Sequence, residues 1–291
     1  MTLPRFQYVA TETIEEACRV LKEKGEKAMV MAGGTDLLVK ARYRLVKPKV
    51  VIGIKKIKGL DRIVFDKKKG LTIGATALLA DVASHPDVLE TFPAIAYAAQ
   101  ETATVQIRNM GTVIGNLCNA APSADNAPGL IAMGTEVTVM GPDGEKRVPL
   151  DRFFKGPGTT VLERGEIVVC VFVPLPPPDS GSSYQHISAR SKVDISAVGV
   201  GVMLTMKKQM CKDAKIVLGA VAPVPMRAIK AEKLIKGKQL TPYLIEKTGI
   251  QASQESKPIS DVRASAEYRR KMVAVLTKRA LLEAKERALK R

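Results

Sequence analysis

The chain has no tryptophan, two histidines, four cysteines and only 4% aromatic residues in 291. The cysteines, Cys18, Cys118, Cys170 and Cys211, stand far apart with no C-x-x-C pair. That spacing argues against a disulfide framework, a zinc ribbon or an iron–sulfur cluster held by this chain. His85 and His186 cannot make a metal site without carboxylate help, so no metal is expected. No apolar run reaches membrane-spanning length, although 46% of residues are hydrophobic. Met1 to Ala10 lacks the charged-then-apolar pattern of a secretion signal, and a soluble, cytoplasmic protein is the expectation. Acidic residues are in deficit: 46 Lys and Arg against 29 Asp and Glu give a net charge of +17. Such a balance raises nucleic-acid binding, but aromatics are scarce, no reading motif is present and the basic residues form no stripe. No nucleic-acid partner is expected. A solvated basic face, or docking to acidic partner subunits, accounts for the charge better.

Two stretches carry chemistry. From Gln106 to Pro128 the chain reads Q-I-R-N-M-G-T-V-I-G-N-L-C-N-A-A-P-S-A-D-N-A-P, between a helical pattern (Pro93 to Thr102) and an apolar run (Pro128 to Met133). A buried segment this polar must satisfy its donors and acceptors, and a loop wrapping an elongated polar ligand would do so. Gly111 and Gly115 let backbone N–H groups approach a phosphate; Thr112 and Asn116 add donors, and Asp125 offers acceptors to sugar or ribityl hydroxyls. An ordinary surface loop has the same composition. Earlier, Lys27 to Met31 reads as a buried strand followed by Ala32-Gly33-Gly34-Thr35-Asp36 and a helix from Leu37. Strand, paired glycines and helix together make a phosphate nest, though tight strand-to-helix turns often want glycine regardless. The stretch does not match G-x-G-x-x-G, and no P-loop occurs.

Around these stretches, Thr13 to Glu16 is a capping box opening a helix that Gly25 ends. Val50 to Ile54 is a second buried strand, and the nest lies at the carboxyl end of its own strand. Beyond Leu60 come two hairpins (turns at Lys67 to Gly70 and Gly141 to Gly144), helices at Leu78 to Ser84 and Pro93 to Thr102, and a strand from Glu166 to Pro174. The run from Pro174 through Ser183 is the clearest boundary, its prolines and serines reading as a linker. After it, three strands (Tyr184 to Ala189, Ala197 to Met206, Lys215 to Val221) and three helices (Arg227 to Lys236, Thr241 to Ala252, Ser265 to Lys290) suggest a three-stranded antiparallel sheet backed by helices. The expected class is α+β: residues 1–176 as a ligand-binding domain of two subdomains (1–57 and 58–176), and residues 177–291 as a C-terminal α+β domain.

A-G-G-T-D-L-L with Q-I-R-N-M-G-T-V-I-G-N-L and A-P-S-A-D, in that order, resembles the FAD-binding medium subunit of molybdenum hydroxylases, as in carbon monoxide dehydrogenase and the flavin domain of xanthine dehydrogenase. The resemblance covers nearly the whole chain. It implies a two-subdomain FAD-binding fold of the vanillyl-alcohol-oxidase/PCMH type. It also implies an electron-transfer subunit that takes electrons from iron–sulfur clusters of a partner and passes them to NAD, a quinone or another acceptor. Substrate oxidation would occur in a molybdopterin-binding large subunit, and the assembly would be a dimer of heterotrimers. The backbone from Val30 through Met31, Ala32, Gly33, Gly34, Thr35 and Asp36 to Leu37, with Thr112, Gly115 and Asn116, would hold the pyrophosphate. Asp125 would bind a hydroxyl-bearing part of the cofactor, with Ala103, Val168 and His186 nearby.

The chain departs from that family's pattern in several places. The cysteine-rich insertion of the 4-hydroxybenzoyl-CoA reductase branch is missing. Within Tyr184-x-His186-x-x-x-Arg190-x-x-x-Asp194-x-x-Ala197, relatives have lysine where this chain has His186, and a neutral histidine would favour the reduced flavin less well. Ile114 replaces a usual glycine and is expected in the β region; Ala103 also replaces glycine, as a milder change. No acid–base constellation is evident, in keeping with electron transfer. Two other classes remain: a self-sufficient flavin oxidoreductase, and a basic nucleic-acid-binding or scaffold protein.

Overall fold

A computed structural model describes residues 2–189 and 194–290. The first unit comprises β1 (Gln7–Ala10), α1 (Ile14–Lys24), β2 (Ala28–Met31), α2 (Leu37–Arg42) and β3 (Val50–Gly53). Its sheet is wholly parallel, in the order β1-β3-β2. β3 is the central strand and is buried throughout, which is why Val-Val-Ile reads as an unbroken apolar run rather than an alternation. The expected N-cap forms, with Thr13 Oγ1 accepting from Glu16 N (3.1 Å), but the Glu16 carboxylate reaches one residue past the capping-box position and accepts from Glu12 N (3.0 Å). β1 carried no sequence signal, since its outer face is exposed and it has only four residues.

The second unit contains β4 (Ile63–Asp66), β5 (Gly70–Gly74), α3 (Leu79–Ser84), α4 (Pro86–Thr91), α5 (Pro93–Glu101), α6 (Val105–Arg108), α7 (Val113–Asn119), α8 (Asn126–Ala132), β6 (Glu136–Gly141), β7 (Gly144–Pro149), β8 (Phe154–Gly156), β9 (Thr159–Thr160) and β10 (Ile167–Pro174). Both expected hairpins form within a five-stranded antiparallel sheet, β4-β5-β10-β6-β7. The stretch from Gln106 to Pro128 is not the expected wrapping loop. It folds as three short helices, because Thr104 and Thr112 cap α6 and α7 through their hydroxyls (3.2 Å to Ile107 N, 2.9 Å to Gly115 N). A threonine cap stabilises a helix by about 1 kcal/mol, enough to organise segments this short once packed.

The third unit runs β11 (Ser180–Ser188), β12 (Ser196–Lys207), β13 (Met210–Gly219), β14 (Met226–Arg227), α9 (Ile229–Ile235), α10 (Pro242–Glu255) and α11 (Ala266–Lys290). Two corrections arise here. The sheet has four strands, β14 adding a two-residue edge to the three expected. The connection is also shorter than expected, because Ser180 to Ser183 are buried strand rather than linker. Two of the three serine hydroxyls find partners, Ser180 on Thr205 (3.0 Å) and Ser183 on Glu283 (2.5 Å), while Ser182 Oγ is buried without one among the described residues. Arg190, part of the third motif, lies outside the described residues.

Strand alternation divides the faces of this sheet. Val198, Val200, Val202, Leu204, Ile216 and Leu218 join one core with α9, α10 and α11. Met203 and Val217, on the other face, join the core of the first two units. On that second face Gly201 and Gly219 meet α8: a β-carbon at Gly201 would lie 2.4 Å from the carbonyl carbon of Pro128. The sheet is thus a middle layer, and the chain's polar stretch is clamped against it.

Candidate functional site

The strand-to-helix turn after β2 behaves as its sequence suggests. Gly34 sits at φ +76°, a conformation costly for any residue with a side chain. Among the described residues, none of the six consecutive N–H groups from Ala32 to Leu37 has a hydrogen-bond acceptor. These residues are half-exposed or exposed rather than buried, and successive free N–H groups in such a turn form a concavity suited to an anion.

The second stretch lies directly against this turn. A β-carbon on Gly33 would fall 2.2 Å from the Met110 carbonyl oxygen and 2.8 Å from Gly111 Cα, so the two backbones touch. Lys40 of α2 donates to Asn119 Oδ1 of α7 at 2.5 Å, and Leu79 N donates to Gly111 O at 3.0 Å. The two motifs that the sequence separates by seventy-odd residues are therefore one locus. The donors expected at 115 and 116 are partly spent: Gly115 N donates to Thr112 Oγ1 and Asn116 N to Thr112 O (3.0 Å). What remains there is the Thr112 hydroxyl hydrogen and the Asn116 amide. Met31 ends β2, Val30 and Ala32 pack on the core, and Asp36 is exposed at the head of α2 without a capping bond.

A buried polar chain leads from α7 toward the C-terminal sheet. Asn126, at 1% exposure, donates from Nδ2 to both Asn116 Oδ1 and Thr102 Oγ1 (3.1 Å each). Its Oδ1 is buried without a partner among the described residues. Asp125 next to it accepts at Oδ1 from Tyr184 OH and Ser196 Oγ, both at 2.6 Å. His186 stacks on Tyr184 (5.9 Å, 6°), its Nδ1 lies 3.1 Å from Ser196 Oγ, and its Nε2 lies 3.3 Å from Glu101 Oε2. Burial raises the Asp125 carboxyl above its ordinary range, against the opposing donors Ser196 and Tyr184; burial beside Asp125 likewise raises the Tyr184 phenol. Desolvation also pushes the Cys118 thiol up to about 12.

Sequence reasoning missed Asn126, Glu101 and Ser196, since each is singled out only by partners remote in the chain. Two expectations need correction. Ile114 is not in the β region; it is helical within α7 and buried, so no positive φ opposes its branched side chain. Ala103 is not the milder change, for it holds φ +53° at the end of α5, where glycine would be unstrained. Val168 sits at a bulge in β10, within the core shared with Ile114 and Leu117 and on a strand that packs against α7.

These residues suit a dinucleotide flavin. A run of free N–H groups fits a diphosphate, while Asn126 Oδ1 and the second Asp125 oxygen offer acceptors to hydroxyls. Comparison with known proteins agrees. A family model described as "FAD binding domain in molybdopterin dehydrogenase" matches residues 4–176, and one described as "CO dehydrogenase flavoprotein C-terminal domain" matches 183–284. Glyceraldehyde dehydrogenase medium chain from Sulfolobus acidocaldarius is 31% identical over 96% of this chain and 98% of its own. The structure of carbon monoxide dehydrogenase from Hydrogenophaga pseudoflava superposes with a TM-score of 0.95 at 32% identity, covering 99% of each chain. Quinoline 2-oxidoreductase from Pseudomonas putida 86 superposes at 0.92 with 28% identity, covering 99% of this chain and 100% of that one.

Proposed function

This chain belongs to the family of FAD-binding medium subunits of molybdenum hydroxylases, and we propose that it is the electron-exit subunit of such a complex. In that role it receives electrons from iron–sulfur clusters of a partner and passes them to an external acceptor. Substrate oxidation falls to a molybdopterin subunit, so this chain never touches the substrate. FAD supplies the one- and two-electron chemistry when bound. Everything asked of this chain is binding, orientation and electrostatics.

The roles divide by residue. The turn from Val30 to Leu37 and the head of α7 at Thr112, Gly115 and Asn116 hold the diphosphate. Asp125, with Asn126, takes hydroxyls; Ala103, Val168 and His186 border the ring. On this reading the FAD-binding part spans 1–176 and the C-terminal part 177–291, and no described helix is long and apolar enough to cross a membrane.

The observation that carries the reading is the contact between Gly33 and Met110-Gly111 beside six unpaired N–H groups. Its test is direct. The purified chain should hold one FAD, seen in the visible spectrum and by release on denaturation, and should co-purify with iron–sulfur and molybdenum subunits. A colourless chain after reconstitution with FAD would overturn the flavin role. A flavin-loaded chain whose FAD is reduced by an organic substrate with no partner subunit present would favour a self-sufficient oxidoreductase.

A further inference from the structure

The first unit has a second concave surface, at the pole opposite the glycine turn. A groove of about 640 Å³ is lined by Thr2, Leu3, Pro4, Arg5, Arg44, Lys47, Pro48 and Lys49. Thr2 to Arg5 lead into β1 and Lys47 to Lys49 into β3, whereas the glycine turn follows the far end of β2. All three strands are parallel and four residues long, which sets the groove and the turn roughly 13 Å of strand apart. The groove is therefore not part of the diphosphate site.

Its chemistry is one-sided. Four cations line it, no carboxylate does, and none of Arg5, Arg44, Lys47 and Lys49 has an ion-pair partner among the described residues. Like charges held together cost free energy unless something anionic shares the space. Arg44 adds a second cost. It occupies φ +61° immediately after α2, with Leu45 N bonded back to Lys40 O, the helix-ending arrangement in which glycine is preferred. An arginine kept where glycine is cheaper points to a use for its side chain. Leu3 in the lining is 44% exposed, and the neighbours of Arg44 in the chain are apolar and more exposed still, Tyr43 at 62% and Leu45 at 75%, with Val39 one turn before Tyr43. Arginine beside exposed aromatic and aliphatic side chains is the composition of a protein interface; a phosphate site would have no need of these apolar neighbours.

We infer that this groove docks an acidic segment of a partner subunit, one that presents carboxylates to Arg5, Arg44, Lys47 and Lys49 and apolar side chains to Tyr43 and Leu45. The inference rests on the multisubunit reading above. Two variants test it in the co-expressed complex, Arg5→Glu/Lys47→Glu and Arg44→Gly, with Lys67→Glu/Lys68→Glu in the β4–β5 turn as a control that matches the charge change of the double variant. Arg44→Gly relieves backbone strain while removing the charge, so misfolding cannot explain its effect. Both groove variants should lower the yield of assembled complex tenfold or more in moderate salt, with flavin per chain unchanged; the control should assemble as the wild type does. Wild-type assembly matched by both groove variants sinks the groove alone. A flavin-loaded wild type that assembles with nothing sinks the multisubunit reading, and the groove's occupant with it. Tight binding of a single-stranded oligonucleotide, lost in the groove variants while assembly persists, would assign the groove to nucleic acid and overturn the inference.

Discussion

A β-carbon at position 33 has no room, since the nearest atoms belong to backbone that cannot swing aside. Gly33→Val should abolish retention of FAD, lowering its affinity by far more than the tenfold that about 1.4 kcal/mol represents. The C-terminal sheet, with a core of its own, should stay folded. Flavin content after gel filtration, read beside circular dichroism, decides it: a folded variant with full flavin occupancy would remove the turn from the site. Position 103 predicts the opposite sign. Ala103 pays for a left-handed conformation that Gly would adopt freely, so Ala103→Gly should stabilise the chain by about 0.5–1 kcal/mol after glycine's extra chain entropy is deducted. Urea titration of the two proteins would show the midpoint rise, and a fall would mean that the alanine methyl packs better than its φ suggests. These two residues also mark what is legible. Strand, Gly-Gly and helix announce a tight turn from types alone, whereas an alanine gives no sign of its φ. Asp125 could be read as an acceptor, but its donors Tyr184 and Ser196 lie 59 and 71 positions away.

Elements were legible where a periodic pattern met a cap, as at α1, and illegible where partners are distant. Ser180 to Ser183 have a linker's composition and a strand's position; the difference is Glu283 on α11, 100 residues on, which accepts from Ser183. The same helix shows how one element is anchored by charge. Arg269, 3% exposed near the start of α11, donates to the carbonyls of Ala197 and Ala220 and to Asp261 Oδ1 (2.8, 2.8 and 2.7 Å). Backbone donation from Arg263 and the Arg269 guanidinium hold the Asp261 carboxyl down at about 2, against 3.8 ordinarily. A carboxylate depressed by folding stabilises above its unfolded value and loses that contribution as pH falls through its folded value. Stability of the C-terminal unit should thus fall between pH 4 and 2. Asp261→Asn, which cannot ionise, should flatten that limb in acid unfolding followed by circular dichroism, while costing stability at pH 7. An unchanged acid limb would show that other carboxylates govern it.

At the scale of the molecule, the proposed flavin site draws on the C-terminal sheet as well as on the first two units. Asp125 and Asn126 begin α8, but the groups that orient Asp125 stand on β11 and β12, and α8 reaches them only because Gly201 and Gly219 lack side chains. Gly201 would place a β-carbon 2.4–2.7 Å from the backbone of Pro128 and Gly129, so any substitution must lift α8 from the sheet. A shift of even about 1 Å carries hydrogen bonds of 2.6 Å beyond bonding range. Gly201→Ala should therefore cost about 1–3 kcal/mol in overpacking and also weaken FAD binding tenfold or more, although position 201 lies outside the matched FAD-binding segment. Gly181→Ala is the matched control. Its β-carbon would strike the Ala284 carbonyl at 2.1 Å, on the face that α11 covers, so it should destabilise comparably while leaving FAD affinity near wild type. Titrating flavin into both apoproteins separates the outcomes. Equal loss of affinity in the two would mean that binding follows global stability, and equal retention would mean that Asp125 holds its place without the C-terminal sheet.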